Sequence, residues 1–256
     1  MLNKPLYRKA NTIEELAENL ATIQARIALA CERVGRDKQS VRLLPVTKTV
    51  DEERLRMAYQ LGCTTMGENK VQEALAKYEA MQDLAIKWSI IGHLQTNKIK
   101  YVARFADEFQ ALDSLKVAEQ LNERLQQHNR TLDVLIQVNT SGEESKYGLV
   151  PQEVATFIKK LAPFEQLNVK GLMTLALFSA DQQKVRDCFI LLRQLRDSLR
   201  DNLPEGMSLE ELSMGMSGDF EIAIEEGATI VRIGQAIFGA RNIPDSHYWP
   251  ENNTPV

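Results

Sequence analysis

Eight short apolar runs recur along the chain, each leading into a longer stretch with the spacing of an amphipathic helix. The runs are RLLPVT (42–47), CTTMGE (63–68), WSIIG (88–92), EFQALD (108–113), DVLIQVN (133–139), VKGLMTL (169–175), ELSMGMS (211–217) and TIVRIG (229–234). Between them the periodicity predicts helices over 51–60, 69–82, 95–105, 114–128, 151–162, 181–200 and 218–226, with a further helix over 12–35 ahead of the first run. Strands that alternate with helices require crossover connections, which are right-handed and build a parallel sheet. Eight such units in 256 residues are the size of a (β/α)₈ barrel. An open doubly wound sheet is the competing α/β architecture, but the GxGxxG fingerprint of its nucleotide-binding turn is absent. No Pro/Gly/Ser-rich linker divides the chain. One barrel is expected over 1–241, with 242–256 as a flexible C-terminal tail.

Charge narrows the function. Lys and Arg total 31 against 35 Asp and Glu, a formal charge of −4, which argues against a surface built to grip nucleic acid. Cys31, Cys63 and Cys188 are odd in number and far apart, without the spacing of a zinc site or a disulfide framework. A reducing compartment is expected. The first residues, MLNKPLYRKANTIEELAENL, lack the apolar core of a secretory leader, and no run approaches the ~18 apolar residues of a membrane span. A cytoplasmic protein without a membrane partner is the expectation.

In a barrel the functional groups stand at the C-terminal ends of the strands. Lys48 closes the first apolar run, followed by the β-branched Thr49 and Val50 rather than by turn formers. A solvated lysine opening a loop is the ordinary explanation. A lysine in a partly dry barrel mouth is instead a candidate for Schiff-base chemistry, because desolvation favours its neutral amine. The segment LSMGMSGDFEIAIEEGATIVRIGQAIFGAR (212–241) adds to this. The seventh run ends in Ser217-Gly218 with acidic residues directly behind it, and the eighth ends in Gly234-Gln235. Serine there could simply cap a helix. Two small-residue turns at strands seven and eight together match the place where barrels bind phosphate. Arg232, two residues before Gly234, shares that residue's face of the strand. It could pair with a carboxylate, or meet the ring of a flat phosphorylated ligand. Lysine, phosphate turns and a ring-facing cation together describe a site for pyridoxal 5′-phosphate.

The segments LLPVTKTV, MGENKVQEALAK, WSIIGHLQTNK, VLIQVNTSGEESKYGL, VKGLMTL and the run 212–241 resemble, in order, the motifs of the pyridoxal 5′-phosphate homeostasis protein family, also called YggS or PROSC. The resemblance extends from about residue 12 to Arg241. It implies a TIM barrel of the alanine racemase N-terminal type and a Schiff base on Lys48. It also implies phosphate contacts near Ser217, Gly218, Gly234 and Gln235, with Arg232 at the pyridine nitrogen and Asn69 near the ring. Family members are understood as carriers or buffers of the cofactor in vitamin B6 homeostasis, without established turnover, and apo forms of pyridoxal-phosphate enzymes are the expected recipients. Two positions depart from the family. Gln235 stands where Thr or Ser is usual, and Ser89 where the family's WHFIG motif has histidine.

The alternatives are a pyridoxal-phosphate-dependent amino-acid racemase and a Schiff-base aldolase. The short run after Arg241 is expected to leave no room for a racemase's second domain. An arginine at the ring nitrogen disfavours a protonated pyridinium and weakens the cofactor as an electron sink. His93 is a candidate proton donor, although a loop histidine is the simpler explanation. Tyr147 is expected to be structural or superficial, and Lys146 and Lys98 to be solvated, with either able to accept the cofactor transiently.

Overall fold

The computed structural model describes residues 7, 9–143 and 146–239. Helix α1 (Ile13–Arg33) comes first. There follow β1 (Arg42–Pro45), α2 (Glu52–Gln60), β2 (Thr65–Glu68), α3 (Val71–Ala80), β3 (Lys87–Ile90), α4 (Ile99–Phe105), β4 (Glu108–Leu112) and α5 (Leu115–Gln127). The second half runs β5 (Leu132–Gln137), α6 (Val154–Leu161), β6 (Leu167–Met173), α7 (Gln182–Leu199), β7 (Glu211–Ser213), α8 (Phe220–Glu225), β8 (Ile230–Ile233) and α9 (Gln235–Phe238). All eight expected strands form, in the order β1-β8-β7-β6-β5-β4-β3-β2, and their ladders are parallel. A parallel bridge between Val46 and Gly67, with the Thr47 amide donating to the Gly67 carbonyl at 2.9 Å, joins β1 to β2 and closes the ring. The protein is a (β/α)₈ barrel with an extra helix at its start.

Side chains alternate across each strand, so a barrel wall has an inner and an outer face. Outward residues such as Trp88, Phe109, Leu212 and Val231 are buried under the helices. The inner face is unusually polar. The Arg232 guanidinium donates to Ser213 Oγ at 2.7 Å, Ser213 Oγ donates to Gln110 Oε1 at 2.6 Å, and Gln110 Nε2 donates to Glu108 Oε2 at 2.7 Å. Glu108 also accepts from Ser89 Oγ at 2.6 Å and from Arg42 at 2.5 Å. This relay crosses the barrel from β8 through β7, β4 and β3 to β1. Ser89, which departs from the family motif, is thereby one of its donors.

Several boundaries differ from the sequence expectation for local reasons. The seventh run extends to 217, but only Glu211–Ser213 pairs with its neighbours as strand; Ser217–Asp219 form a turn. Thr96–Lys98 and Pro151–Glu153 are tight 3₁₀ turns that delay α4 and α6 by a few residues. Helix α9 is not anticipated by the sequence pattern. The boundary at Arg241 and the tail 242–256 lie outside the described residues. No helix among those described is long and apolar enough to cross a membrane.

Candidate functional site

The mouth of the barrel at β2, β1, β8 and β7 gathers most of the predicted residues. Leu44 lies opposite Arg232 in the β1–β8 register. The Val46 amide then donates to the Ile233 carbonyl at 2.9 Å, and Lys48 stands two residues further along. Gly234 is required beside it, because a Cβ there would come within 2.9 Å of the Val46 carbonyl oxygen. Lys48 is half-buried. Contrary to the expectation from its β-branched neighbour, it sits in a turn, and Thr49 adopts φ +65°. That conformation is costly for a β-branched residue and must be held by its surroundings.

Those surroundings escape the sequence analysis. Glu68, at the end of β2, is fully buried and accepts from Thr47 Oγ1 at 2.6 Å. Lys77 from α3 donates to Glu68 Oε1 at 2.7 Å, to Glu73 Oε1 at 2.8 Å and to the Thr47 carbonyl at 2.8 Å. The Thr49 amide donates to Glu73 Oε1 at 2.6 Å. Burial pushes the Glu68 carboxyl above the usual carboxylate range, against the pull of Lys77. Burial also pushes on Glu73, but Lys77 and the Thr49 amide together hold it below that range. The signal is present in MGENKVQEALAK. A glutamate closes an apolar run there, and a Glu–Lys pair follows at i,i+4, the favourable order on a helix. Asn69 follows Glu68 directly. Its carbonyl oxygen lies 2.3 Å from where a Cβ on Gly92 would stand, so the loops after β2 and β3 meet at this point.

Ser217 does not cap α8. Asp219 occupies the N-cap position and accepts the Met216 amide at 2.5 Å, while Ser217 Oγ accepts the Ala236 amide at 3.3 Å. That bond ties the β7 loop to the first turn of α9, bringing Ser217, Gly218, Gly234 and Gln235 into one corner. Gly218 is exposed, and a Cβ there would meet nothing within 4 Å. Gln235 is half-buried at the first position of α9.

Arg232 is 3% exposed. Besides Ser213, it donates to the Thr174 carbonyl at 2.8 Å, at the end of β6. Thr174 is itself fixed by its hydroxyl, which donates to the Val138 carbonyl at 2.7 Å. Burial pushes the guanidinium down to about 10, with Asp219 pulling the other way, so it remains a cation at neutral pH. Burial raises the Asp219 carboxyl, which the Met216 amide and Arg232 partly oppose. Among the described residues the carboxylate alternative for Arg232 is not realised as a direct hydrogen bond; its partners there are a hydroxyl and a carbonyl.

His93 lies in the loop after β3 and stacks on Tyr147, ring centroids 4.0 Å apart and planes at 12°. Tyr147 is exposed, as expected. Lys146 is not simply solvated: it pairs with Glu143 and donates to the Ala176 carbonyl at 3.0 Å. Lys98 lies 6.0 Å from the Tyr101 ring.

A half-buried amine at the end of β1, a buried cation on β8 and a hydroxyl-lined corner between the β7 and β8 loops define the mouth of a barrel suited to a flat phosphorylated aldehyde. A family model described as "Alanine racemase, N-terminal domain" matches residues 18–242, which gives the class of barrel. The chain belongs, within that class, to the pyridoxal phosphate homeostasis protein family. The relative from Aquifex aeolicus bearing that name is 44% identical over 224 residues, 88% of this chain and 97% of its own length. Among solved structures, an unknown protein from Bifidobacterium adolescentis is 37% identical with a TM-score of 0.84, covering 92% of this chain and all of that one. PipY of Synechococcus elongatus, solved with PLP bound, is 31% identical with a TM-score of 0.78, covering 88% of this chain and 100% of its own.

Proposed function

We propose that this protein binds pyridoxal 5′-phosphate and buffers or delivers it, holding the cofactor as a Schiff base on Lys48. The observation that carries this reading is the convergence of Lys48, Arg232 and the Ser217–Ala236 corner on adjacent strands β1, β8 and β7. The donor set fits the group. Lys48 supplies the amine for its aldehyde, Arg232 a fixed cation for its ring nitrogen, and Ser217, Gly218, Gly234 and Gln235 hydroxyl, amide and backbone N–H groups for its phosphate. Asn69, between β2 and the Gly92 loop, borders the ring. PipY, with PLP bound, supports the same assignment by relationship. The cofactor itself supplies an electrophilic carbonyl and a conjugated ring.

The chain's own residues favour retention over turnover. Arg232 keeps a positive charge beside the ring nitrogen, which discourages protonation there and leaves carbanion chemistry weakly supported. Lys77 is not a competing anchor, because each of its three protons is committed to an acceptor. The protein is therefore assigned a carrier's role rather than an enzyme's, with apo forms of pyridoxal-phosphate enzymes as recipients. The racemase alternative draws on the family model alone.

Borohydride reduction of the loaded protein, followed by peptide mass spectrometry, tests the assignment. Trapped cofactor is expected on Lys48, and Lys48→Ala should abolish it while the protein melts within a few degrees of wild type, since the side chain is only half-buried. Undiminished trapping on another lysine in that variant overturns the assignment. Steady, Lys48-dependent racemisation of an L-amino acid would replace the carrier by a racemase.

A further inference from the structure

We propose that Glu73 and Lys77 are positioning residues for Lys48, fixing the peptide groups on both sides of it so that its amine is presented to the cofactor. The proposal rests on Lys48 being the covalent anchor.

Lys48 is flanked by Thr47 and Thr49, and both are held from outside the loop. On one side the Thr47 carbonyl accepts from Lys77 Nζ at 2.8 Å and the Thr47 hydroxyl donates to Glu68 at 2.6 Å. On the other the Thr49 amide donates to Glu73 Oε1 at 2.6 Å. Lys77 bridges both carboxylates, so the grips on the two sides form one unit, Glu68–Lys77–Glu73. The conformation so held is the left-handed one at Thr49, φ +65°, which an isolated Val-Thr-Lys-Thr-Val segment would avoid. A grip anchored on α3 and β2 explains how the turn persists.

Stability is a poor reason for such an arrangement. Glu68 is fully buried, yet its Oε2 has no hydrogen-bond partner among the described residues, and burial raises its carboxyl. Unsatisfied buried oxygens cost free energy, and they concentrate where geometry serves a site. Here the cost falls one hydrogen bond away from the backbone of Lys48.

The experiment compares Glu73→Ala with Glu73→Gln, since Glu73 is partly exposed and its loss leaves Glu68 its cation. Glutamine keeps an oxygen for the Thr49 amide; alanine does not. Three quantities are read: hydrogen exchange of the Thr49 amide without cofactor, the rate at which borohydride-trappable adduct forms on Lys48, and non-covalent retention of pyridoxal 5′-phosphate in a Lys48→Ala background. Glu73→Ala should speed exchange and slow adduct formation by about ten- to a hundredfold, the usual effect of a misplaced reacting group. Retention in the Lys48→Ala background should be unchanged, and Glu73→Gln should recover most of the lost rate. Lys77→Arg should likewise exceed Lys77→Met. Wild-type adduct rates in Glu73→Ala overturn the proposal, and so does an equal loss of retention in the Lys48→Ala background, which would mark a merely structural role. Adduct found on a different lysine in the wild type overturns the anchor assignment as well, so the two failures are distinguishable.

Discussion

At the scale of single residues, the proposed phosphate corner turns on Ser217. Ser217 Oγ has two possible duties, accepting the Ala236 amide and meeting a phosphate. Charge-assisted hydrogen bonds to phosphate contribute about 1.5–3 kcal/mol each, so losing one weakens binding roughly ten- to a hundredfold. Ser217→Ala is therefore expected to weaken pyridoxal 5′-phosphate by that factor and to leave unphosphorylated pyridoxal nearly unaffected, as measured by fluorescence titration. Gln235→Thr restores the residue usual in the family and should preserve or tighten the phosphorylated ligand only. Equal losses for both ligands in Ser217→Ala would place the phosphate elsewhere. Lys48, Arg232 and the two glycine turns are legible in the sequence because each breaks a local expectation: a charge inside or ending an apolar run, or a small residue at a strand end. Glu68 and Glu73 are not. A glutamate ending a strand looks like the start of the next helix until the fold places it under the Thr47 side chain of the neighbouring strand.

At the scale of elements, α1 shows how much the barrel adds to a correct sequence expectation. Its position follows from periodicity, and the structure adds a Thr12–Glu15 capping box, in which the Glu15 amide donates to Thr12 Oγ1 at 3.2 Å and Glu15 Oε2 accepts the Thr12 amide at 3.3 Å. Its role does not. The helix grips the two short helices behind the phosphate corner: Arg26 makes a bidentate pair with Glu221 of α8 at 3.0 and 2.8 Å, and Asn19 Nδ2 donates to the Ile237 carbonyl of α9 at 2.8 Å. Helix α9 itself escapes prediction because four residues carry no readable period. Two substitutions in and beside α1 should therefore behave differently. Thr12→Ala removes an exposed cap hydrogen bond local to α1 and should cost about 1 kcal/mol, or about 2–4 °C in melting temperature, with cofactor affinity unchanged. Asn19→Ala strands a carbonyl of the helix that begins at Gln235, and should weaken cofactor binding severalfold as well as lowering the melting temperature. Thermal melts and cofactor titrations of both variants check this; affinity that follows stability alike in the two would remove any special tie between α1 and the corner.

At the scale of the whole molecule, the inner relay from Arg232 to Arg42 links the mouth of the barrel to its floor, and charge burial differs at its two ends. At the mouth, Glu68 and Asp219 are pushed up by burial but held by Lys77 and the Met216 amide respectively. At the floor, Glu211 is pushed up by burial and by Glu108 and Asp133, while Arg42 and Lys170 pull it down. Arg42 is a distant partner at 3.9 Å, because it is committed to Glu108 at 2.5 Å, and Glu211 Oε2 is buried without a hydrogen-bond partner among the described residues. No functional assignment needs Glu211, so its ionisation is a pure cost to the fold. The direction of its pKa fixes how that cost varies. A carboxyl raised in the folded state favours folding fully below its unfolded value of about 4.3, and that contribution is lost as pH rises through the folded value. Glu211→Gln, which keeps the shape and cannot ionise, should accordingly melt higher than wild type at pH 7. The advantage should shrink steadily as the pH is lowered to about 4, near the unfolded carboxyl's own midpoint, where the folded protein already carries a neutral side chain at this position. Melting curves at a series of pH values, on protein without cofactor, measure the difference directly. An offset that is constant with pH would show that Arg42 and Lys170 balance burial, and one that grows on acidification would show that they outweigh it and that the floor of the barrel prefers its glutamate charged.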